Sequence, residues 1–166
     1  MASKTSFTPD EWTKILESTA VTGMAVTAAE PSGLWGMLKE AIAGGTTLAA
    51  AKKDPKSSEL TKAVIADLET SEGRAAAQEA LKQRFAGAKP GDVVPRSLEI
   101  LRDVSAILDA KAPGDAPAFK AWLNSVAQNV AEASKEGGFP GFGGMPVSEA
   151  EKATLAQIAL ALGTRA

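Results

Sequence analysis

The sequence predicts an all-α protein, a compact bundle of six or seven helices. Apolar residues recur at three- and four-residue intervals along almost the whole chain, while the alternation typical of strands never extends beyond a few residues. Clusters of proline and glycine divide this pattern into segments of helical length. A chain of 166 residues can bury a sizeable core, so we expect one helical domain over residues 1–166.

Cap signals and apolar faces predict the first two helices. Thr8 begins the first helix, with Pro9 at its first position and Glu11 completing a capping box, and we expect residues 1–7 to be flexible. Its apolar face comprises Trp12, Ile15, Leu16, Thr19, Gly23 and Val26. A break at residues 30–33 precedes the second helix, because proline disfavours helical backbone at the preceding residue. The apolar residues of that helix are Leu34, Trp35, Leu38, Ile42 and Leu48.

Four further helical segments follow after residue 56. Ser57 or Ser58 begins the third, and a pause at residues 71–73 leaves open whether 57–86 is one helix or two. The next two helices have their apolar stripes at Leu98, Leu101, Val104, Ile107 and Leu108, and at Phe119, Trp122, Leu123, Val126 and Val130. After a glycine- and phenylalanine-rich loop at 136–147, Ser148 and Glu151 form a second capping box. We expect this last helix to end at Gly163.

Composition excludes several classes of function. The chain has no His, Cys or Tyr, so it cannot build a disulfide, a Cys/His zinc site, a thiolate nucleophile or a Ser–His–Asp triad. With 18 basic and 20 acidic residues, its net charge of −2 gives no basic field for nucleic acid. The sequence therefore predicts a protein without enzymatic activity, cofactor or nucleic-acid partner.

The same residues bear on location. The start of the chain lacks the apolar stretch of a secretory signal, and the uncharged runs on either side of Glu30 are too short for a transmembrane helix. We therefore expect a cytoplasmic protein without a transmembrane segment.

Residues 18–51, here called the low-charge segment, contain only three charged side chains: Glu30, Lys39 and Glu40. One interpretation is a central helical hairpin that the later helices cover. The other is a surface that closes on a second copy or a partner protein, with Trp35 and the small residue Gly36 as contact residues. Small residues at such a surface allow helices to approach closely.

The loop at 136–147 is the most unusual stretch of the sequence, because it places Phe139 and Phe142 among several glycines. Its spacing matches neither the dinucleotide fingerprint nor a phosphate-binding P-loop. The two rings could tuck into the end of the bundle, or they could anchor a ligand or partner. Together with Trp12 and Trp35 they could also line a cavity for an apolar ligand or lipid.

Carboxylates are the remaining candidates for acid–base or metal chemistry. A di-iron bundle site would require histidines, which leaves an oxygen-only magnesium or calcium site. Asp67, Glu69 and Glu72 lie together near the end of the third segment, where a solvated helix face also accounts for them. A carboxylate-only, metal-assisted hydrolase is therefore less well supported by the sequence than an interaction domain or a carrier of apolar ligands.

The stretch from Gly137 to Gly163 resembles the end of tellurite-resistance TerB-type helical domains. The resemblance is carried by Ser148-x-x-Glu151 and by the run Ala153-Thr154-Leu155-Ala156-Gln157-Ile158-Ala159-Leu160-Ala161-Leu162-Gly163. It implies a compact all-helical bacterial module associated with stress-response and membrane-linked systems. The acidic residues of the family's loops are replaced here by glycine and phenylalanine, so no metal-site residue is carried over.

Together these observations predict a non-enzymatic helical interaction or scaffold domain that self-associates through the low-charge segment. The alternative is a carrier of apolar ligands or lipids with a pocket lined by tryptophan and phenylalanine. The candidate contact residues for both interpretations are Trp12, Trp35, Gly36, Phe139 and Phe142.

Overall fold

The computed structural model describes residues 1–29, 57–136 and 147–164. For residues 133–136 it describes the backbone alone. Its helices are α1 (Pro9–Ala28), α2 (Glu59–Glu69), α3 (Ser71–Arg84), α4 (Val93–Lys111), α5 (Ala116–Glu136) and α6 (Glu149–Ala161). Short 3₁₀ turns occupy Lys4–Ser6 and Pro90–Asp92. The predicted all-α bundle is confirmed, with six α-helices in the part of the chain that is described.

Helix α1 forms the centre of this bundle. The other five helices all pack against it, α4 and α5 over long stretches and α2 and α6 over shorter ones. None of residues 11–29 is exposed, so α1 is covered on every side beyond its first turn. Its apolar side chains join those of α4 and α5 in one core cluster around Ile15, Leu101 and Phe119.

The predicted helix starts are confirmed by their cap geometry. Thr8 Oγ1 accepts the Glu11 backbone N–H while the Glu11 carboxylate accepts the Thr8 N–H, and Ser148 and Glu151 make the same reciprocal pair. Ser58 caps α2. At the end of α6, Gly163 adopts a φ of +68°, a left-handed conformation that glycine takes without strain. No helix among the described residues combines the length and apolarity needed to cross a membrane.

The stretch 57–86 forms two helices rather than one. Thr70 alone separates α2 from α3, in an extended conformation. Its hydroxyl donates to the Asp67 carbonyl of α2 and accepts the Gly73 N–H of α3. One side chain thus ends the first helix and begins the second, which explains why the sequence pattern pauses there without a proline.

Ala2 and Phe7 of the amino-terminal segment are buried against the bundle, while Met1 and residues 3–6 are exposed, and the flexibility of residues 1–7 stays a prediction. The Ala2 backbone N–H donates to Asp115 Oδ2 at 2.8 Å, at the start of α5, and Lys4 pairs with Asp67 at 3.0 Å. Phe7 is buried in the core cluster. The amino-terminal segment therefore bridges the end of α2 and the start of α5.

Candidate functional site

Trp12, the one candidate residue that lies within the described part of the chain, is a core residue. It is 3% exposed, and its ring packs against Phe7 with centroids 5.8 Å apart. Its indole Nε1–H donates to Asp67 Oδ2 at 2.6 Å. The polar and apolar parts of Trp12 are both in contact with the protein, and its role as a ligand contact stays a prediction.

Asp67 is the polar centre of this amino-terminal corner. Burial acts to raise the pKa of its carboxyl, but hydrogen bonds from Trp12 and Lys4 outweigh burial and hold that pKa below its ordinary value. Asp67 therefore stays ionised to lower pH than an isolated aspartate. The ionised Asp67 carboxylate already binds the Trp12 indole and the Lys4 ammonium, so it joins α2 to α1 and to the amino-terminal segment.

The other candidate residues fall outside the described residues. Trp35 and Gly36 belong to the second half of the low-charge segment, and Phe139 and Phe142 to the loop after α5. Residues 18–29 of the low-charge segment are described, and they are buried or half-buried within α1. This part supports the interpretation of a central helix covered by the later helices.

The sequence analysis missed a buried charge at the centre of the bundle. Glu17 is 0% exposed and forms an ion pair with Arg84 Nε, at the end of α3. Neither carboxylate oxygen has a further hydrogen-bond partner in the described part of the chain. Burial raises the pKa of Glu17, against the opposing effects of Arg84 and, more weakly, Lys14.

We expect Glu17→Gln to be at least as stable as the native chain at pH 7.5. Because the folded-state pKa of Glu17 exceeds its ordinary value of 4.5, the native state binds the proton more readily, and stability declines as pH rises through the folded-state pKa. One unit of such a shift corresponds to about 1.4 kcal/mol. Urea unfolding at pH 7.5 and pH 5 should show the advantage of the variant shrinking towards acid.

The opposite outcome is a clear loss of stability at pH 7.5 in Glu17→Gln. That result would mean that attraction to Arg84 exceeds the cost of burying the carboxylate. Thr61→Val, at another fully buried polar position, is a control for the general effect of changing a buried polar group.

A second polar cluster holds the end of α6. Lys120, nearly buried on α5, donates to both carboxylate oxygens of Asp109 at 2.7 Å. The Ser105 hydroxyl donates to the Leu162 carbonyl at 3.1 Å, and Asn124 Nδ2 donates to Thr164 Oγ1 at 2.6 Å. These contacts join α4 and α5 to the last turn of α6.

Ser105 and Lys120 are the residue types of a serine–lysine nucleophile, but their contacts are structural. The Ser105 proton is given to a main-chain carbonyl, and the Lys120 ammonium is paired with the Asp109 carboxylate. Residues 1–29, 57–136 and 147–164 contain no group of three or more acidic side chains placed to hold a metal ion.

Comparison of the chain with models of known protein families, with curated proteins and with solved structures finds no match. The class that the fold defines is an all-α helical bundle with a central, enclosed first helix. The TerB-type resemblance stays a prediction.

Proposed function

We propose that this chain is a non-enzymatic helical interaction domain that self-associates through its low-charge segment. The observation that carries the proposal is the complete enclosure of α1. Residues 18–29 are buried or half-buried within one copy, so packing within the chain explains their low charge. The contact surface that we propose is therefore the remainder of the segment, residues 30–51, which lies outside the described residues.

The composition of residues 30–51 supports a covered surface. Only Glu30, Lys39 and Glu40 are charged in this stretch, which also contains Trp35 and Gly36. Tryptophan is enriched among the residues that dominate binding energy at interfaces, and small residues permit close helix approach. The five other described helices all pack against α1, and a second copy is the cover that we propose for residues 30–51.

The roles of the buried polar groups support the absence of enzymatic activity. Asp67, Asp115, Lys120 and Ser105 are each engaged in contacts between helices or with the amino-terminal segment. Catalytic groups are instead expected to face a cleft with polar atoms free for a substrate. We further propose a cytoplasmic location and, from the resemblance of its last helix, a bacterial TerB-like module.

Trp35→Glu tests the proposed surface. We expect the native chain to have twice the 17.0 kDa chain mass by light scattering after size exclusion, and the variant to have the single chain mass. Placing a carboxylate at the centre of an apolar contact costs several kcal/mol of association free energy. Circular dichroism and urea unfolding of the variant establish that each copy is folded.

Leu160→Glu is the matched control for this experiment. Leu160 is a large apolar side chain, 77% exposed on the outer face of α6, and the substitution introduces the same charge there. We expect Leu160→Glu to associate like the native chain. If Leu160→Glu abolished association and Trp35→Glu did not, the outer face of α6 would be the contact surface and the proposal would be wrong.

The carrier alternative has its own outcome in the same sample. A carrier would retain a small molecule, so its native mass would exceed a multiple of the chain mass. The carrier alternative places Trp12 in contact with the ligand. In the structure, the Trp12 side chain is already in contact with Phe7 and Asp67.

A further inference from the structure

Helix α3 is attached to the bundle through very little apolar surface. Only Gly73 and Ala77 are buried along its length, and Leu81 and the following Phe85 are partly buried against the core. Most of its remaining side chains are polar and exposed. Apolar burial supplies most of the free energy that holds a helix in place. Although its backbone lies along α1, α3 buries fewer apolar side chains than any of the other five described helices.

The end of α3 is fixed by charged side chains instead. The Arg84 guanidinium, 31% exposed, contacts the fully buried carboxylate of Glu17 on α1. Arg96 of α4 donates to the Arg84 carbonyl at 3.1 Å. Arg84 thus covers the buried carboxylate of Glu17, and Arg96 holds the backbone of Arg84 in place.

Both ends of α3 have junctions at which the chain can bend. Thr70 is the single extended residue before α3, and because its hydroxyl and the Arg74 guanidinium bond α3 to the end of α2, α3 can only pivot about this junction. After α3, Gly87 has a φ of +67° and open space around it. Bending at these two junctions can carry α3 away while α2 and α4 keep their own helical hydrogen bonds.

We propose that α3 is an opening element of the bundle, which lifts off α1, and that Arg84 opposes this opening because the buried Glu17 carboxylate, left without its cation, would favour the open state in which it is hydrated. Opening hydrates the Glu17 carboxylate and uncovers the side of α1 on which α3 rests. The device does not depend on the proposed self-association, because it lies wholly within one copy of the chain.

Hydrogen exchange measured by mass spectrometry on the whole chain tests this proposal. Because a detached helix of 14 residues is only marginally stable in water, its backbone hydrogen bonds open once it leaves α1. In the native chain we therefore expect amides of residues 73–84 to exchange faster than those in the middle of α1, α4 and α5, relative to their intrinsic rates. Arg84→Gln should accelerate exchange in α3 by about tenfold or more and leave α4 and α5 unchanged, since it leaves a buried carboxylate without its cation. Lys82→Gln is the control, because it removes an exposed cation from the same helical turn.

The double variant Glu17→Gln/Arg84→Gln separates charge from packing. If the contact with Glu17 holds α3 closed, the double variant should exchange in α3 more slowly than Arg84→Gln alone. Ala77→Gly, which weakens α3 without altering charge, should also accelerate exchange in α3 only. The proposal would be overturned if α3 were as protected as α1, or if Arg84→Gln accelerated all helices equally.

Discussion

Trp12→Ala is expected to lower the free energy of unfolding by about 3–5 kcal/mol, the range for truncating a fully buried tryptophan. The substitution leaves a cavity beside Phe7 and removes the donor to Asp67, so α1 loses a contact with the amino-terminal segment and a hydrogen bond to α2 at once. Urea unfolding followed by circular dichroism measures the change. A loss below about 1 kcal/mol would mean that Trp12 is not packed in the core.

Trp12→Phe is the matched control for this prediction. It keeps an aromatic ring in the core and removes the Nε1–H donor to Asp67 together with part of the indole ring. A smaller loss, of about 1–2 kcal/mol, is expected from a missing hydrogen bond to a charged group. The pKa of Asp67 should rise towards its ordinary value, because a hydrogen bond that lowers it is gone.

The Asp67 pKa also predicts the direction of a pH effect. A depressed pKa contributes stability above the ordinary aspartate pKa, and this contribution is lost as pH falls through the folded-state value. The acid sensitivity of unfolding should therefore be weaker in Trp12→Phe than in the native chain. Carboxyl titration by nuclear magnetic resonance in both proteins would measure the two pKa values directly.

Gly73→Ala is expected to destabilise the chain by about 3 kcal/mol, although alanine is intrinsically the better helix former by about 1 kcal/mol. A Cβ on Gly73 would collide with the carbonyl oxygen of Asp67 and lie 2.7 Å from its carbonyl carbon. Both atoms are backbone, so α2 and α3 must separate to make room. The free energy of unfolding from urea titration measures the change.

Gly91→Ala is the control for this substitution. Nothing lies within 4 Å of a Cβ at Gly91, so its stability should change by less than about 1 kcal/mol. If Gly73→Ala stabilised the chain as helix propensity alone predicts, α2 and α3 would not meet as closely as described.

Local signals in the sequence were sufficient for much of the fold. The capping boxes at Thr8 and Ser148 involve residues three positions apart, so a short stretch contains all the information they need. The division at Thr70 was harder, because threonine ends one helix and begins the next through its hydroxyl. A pause in the pattern indicated the position, but the geometry of two helices was not readable from it.

The polar contacts of the core could not be predicted, because their partners are far apart in the sequence. Trp12 meets Asp67 across 55 positions, and Glu17 meets Arg84 across a similar separation. In the sequence, Glu17 interrupts an otherwise uncharged stretch of α1. That interruption was the one available signal, since a helix enclosed on all sides must bury any charge it carries.

Candidate contact residues were chosen by composition, and composition does not distinguish burial within a chain from burial between chains. Trp12 and the first part of the low-charge segment illustrate this, because their apolar character is satisfied by α4, α5 and Phe7. The same reasoning applied to Trp35 and Gly36 supports association only because the described helices already enclose α1.

Native mass spectrometry of the purified chain over a range of concentrations tests the proposed self-association most directly. We expect an assembly at twice the 17.0 kDa chain mass with no additional bound mass, lost in Trp35→Glu and retained in Leu160→Glu. A single-chain mass at every concentration would contradict self-association. A mass above a multiple of the chain mass would identify a retained ligand and favour the carrier.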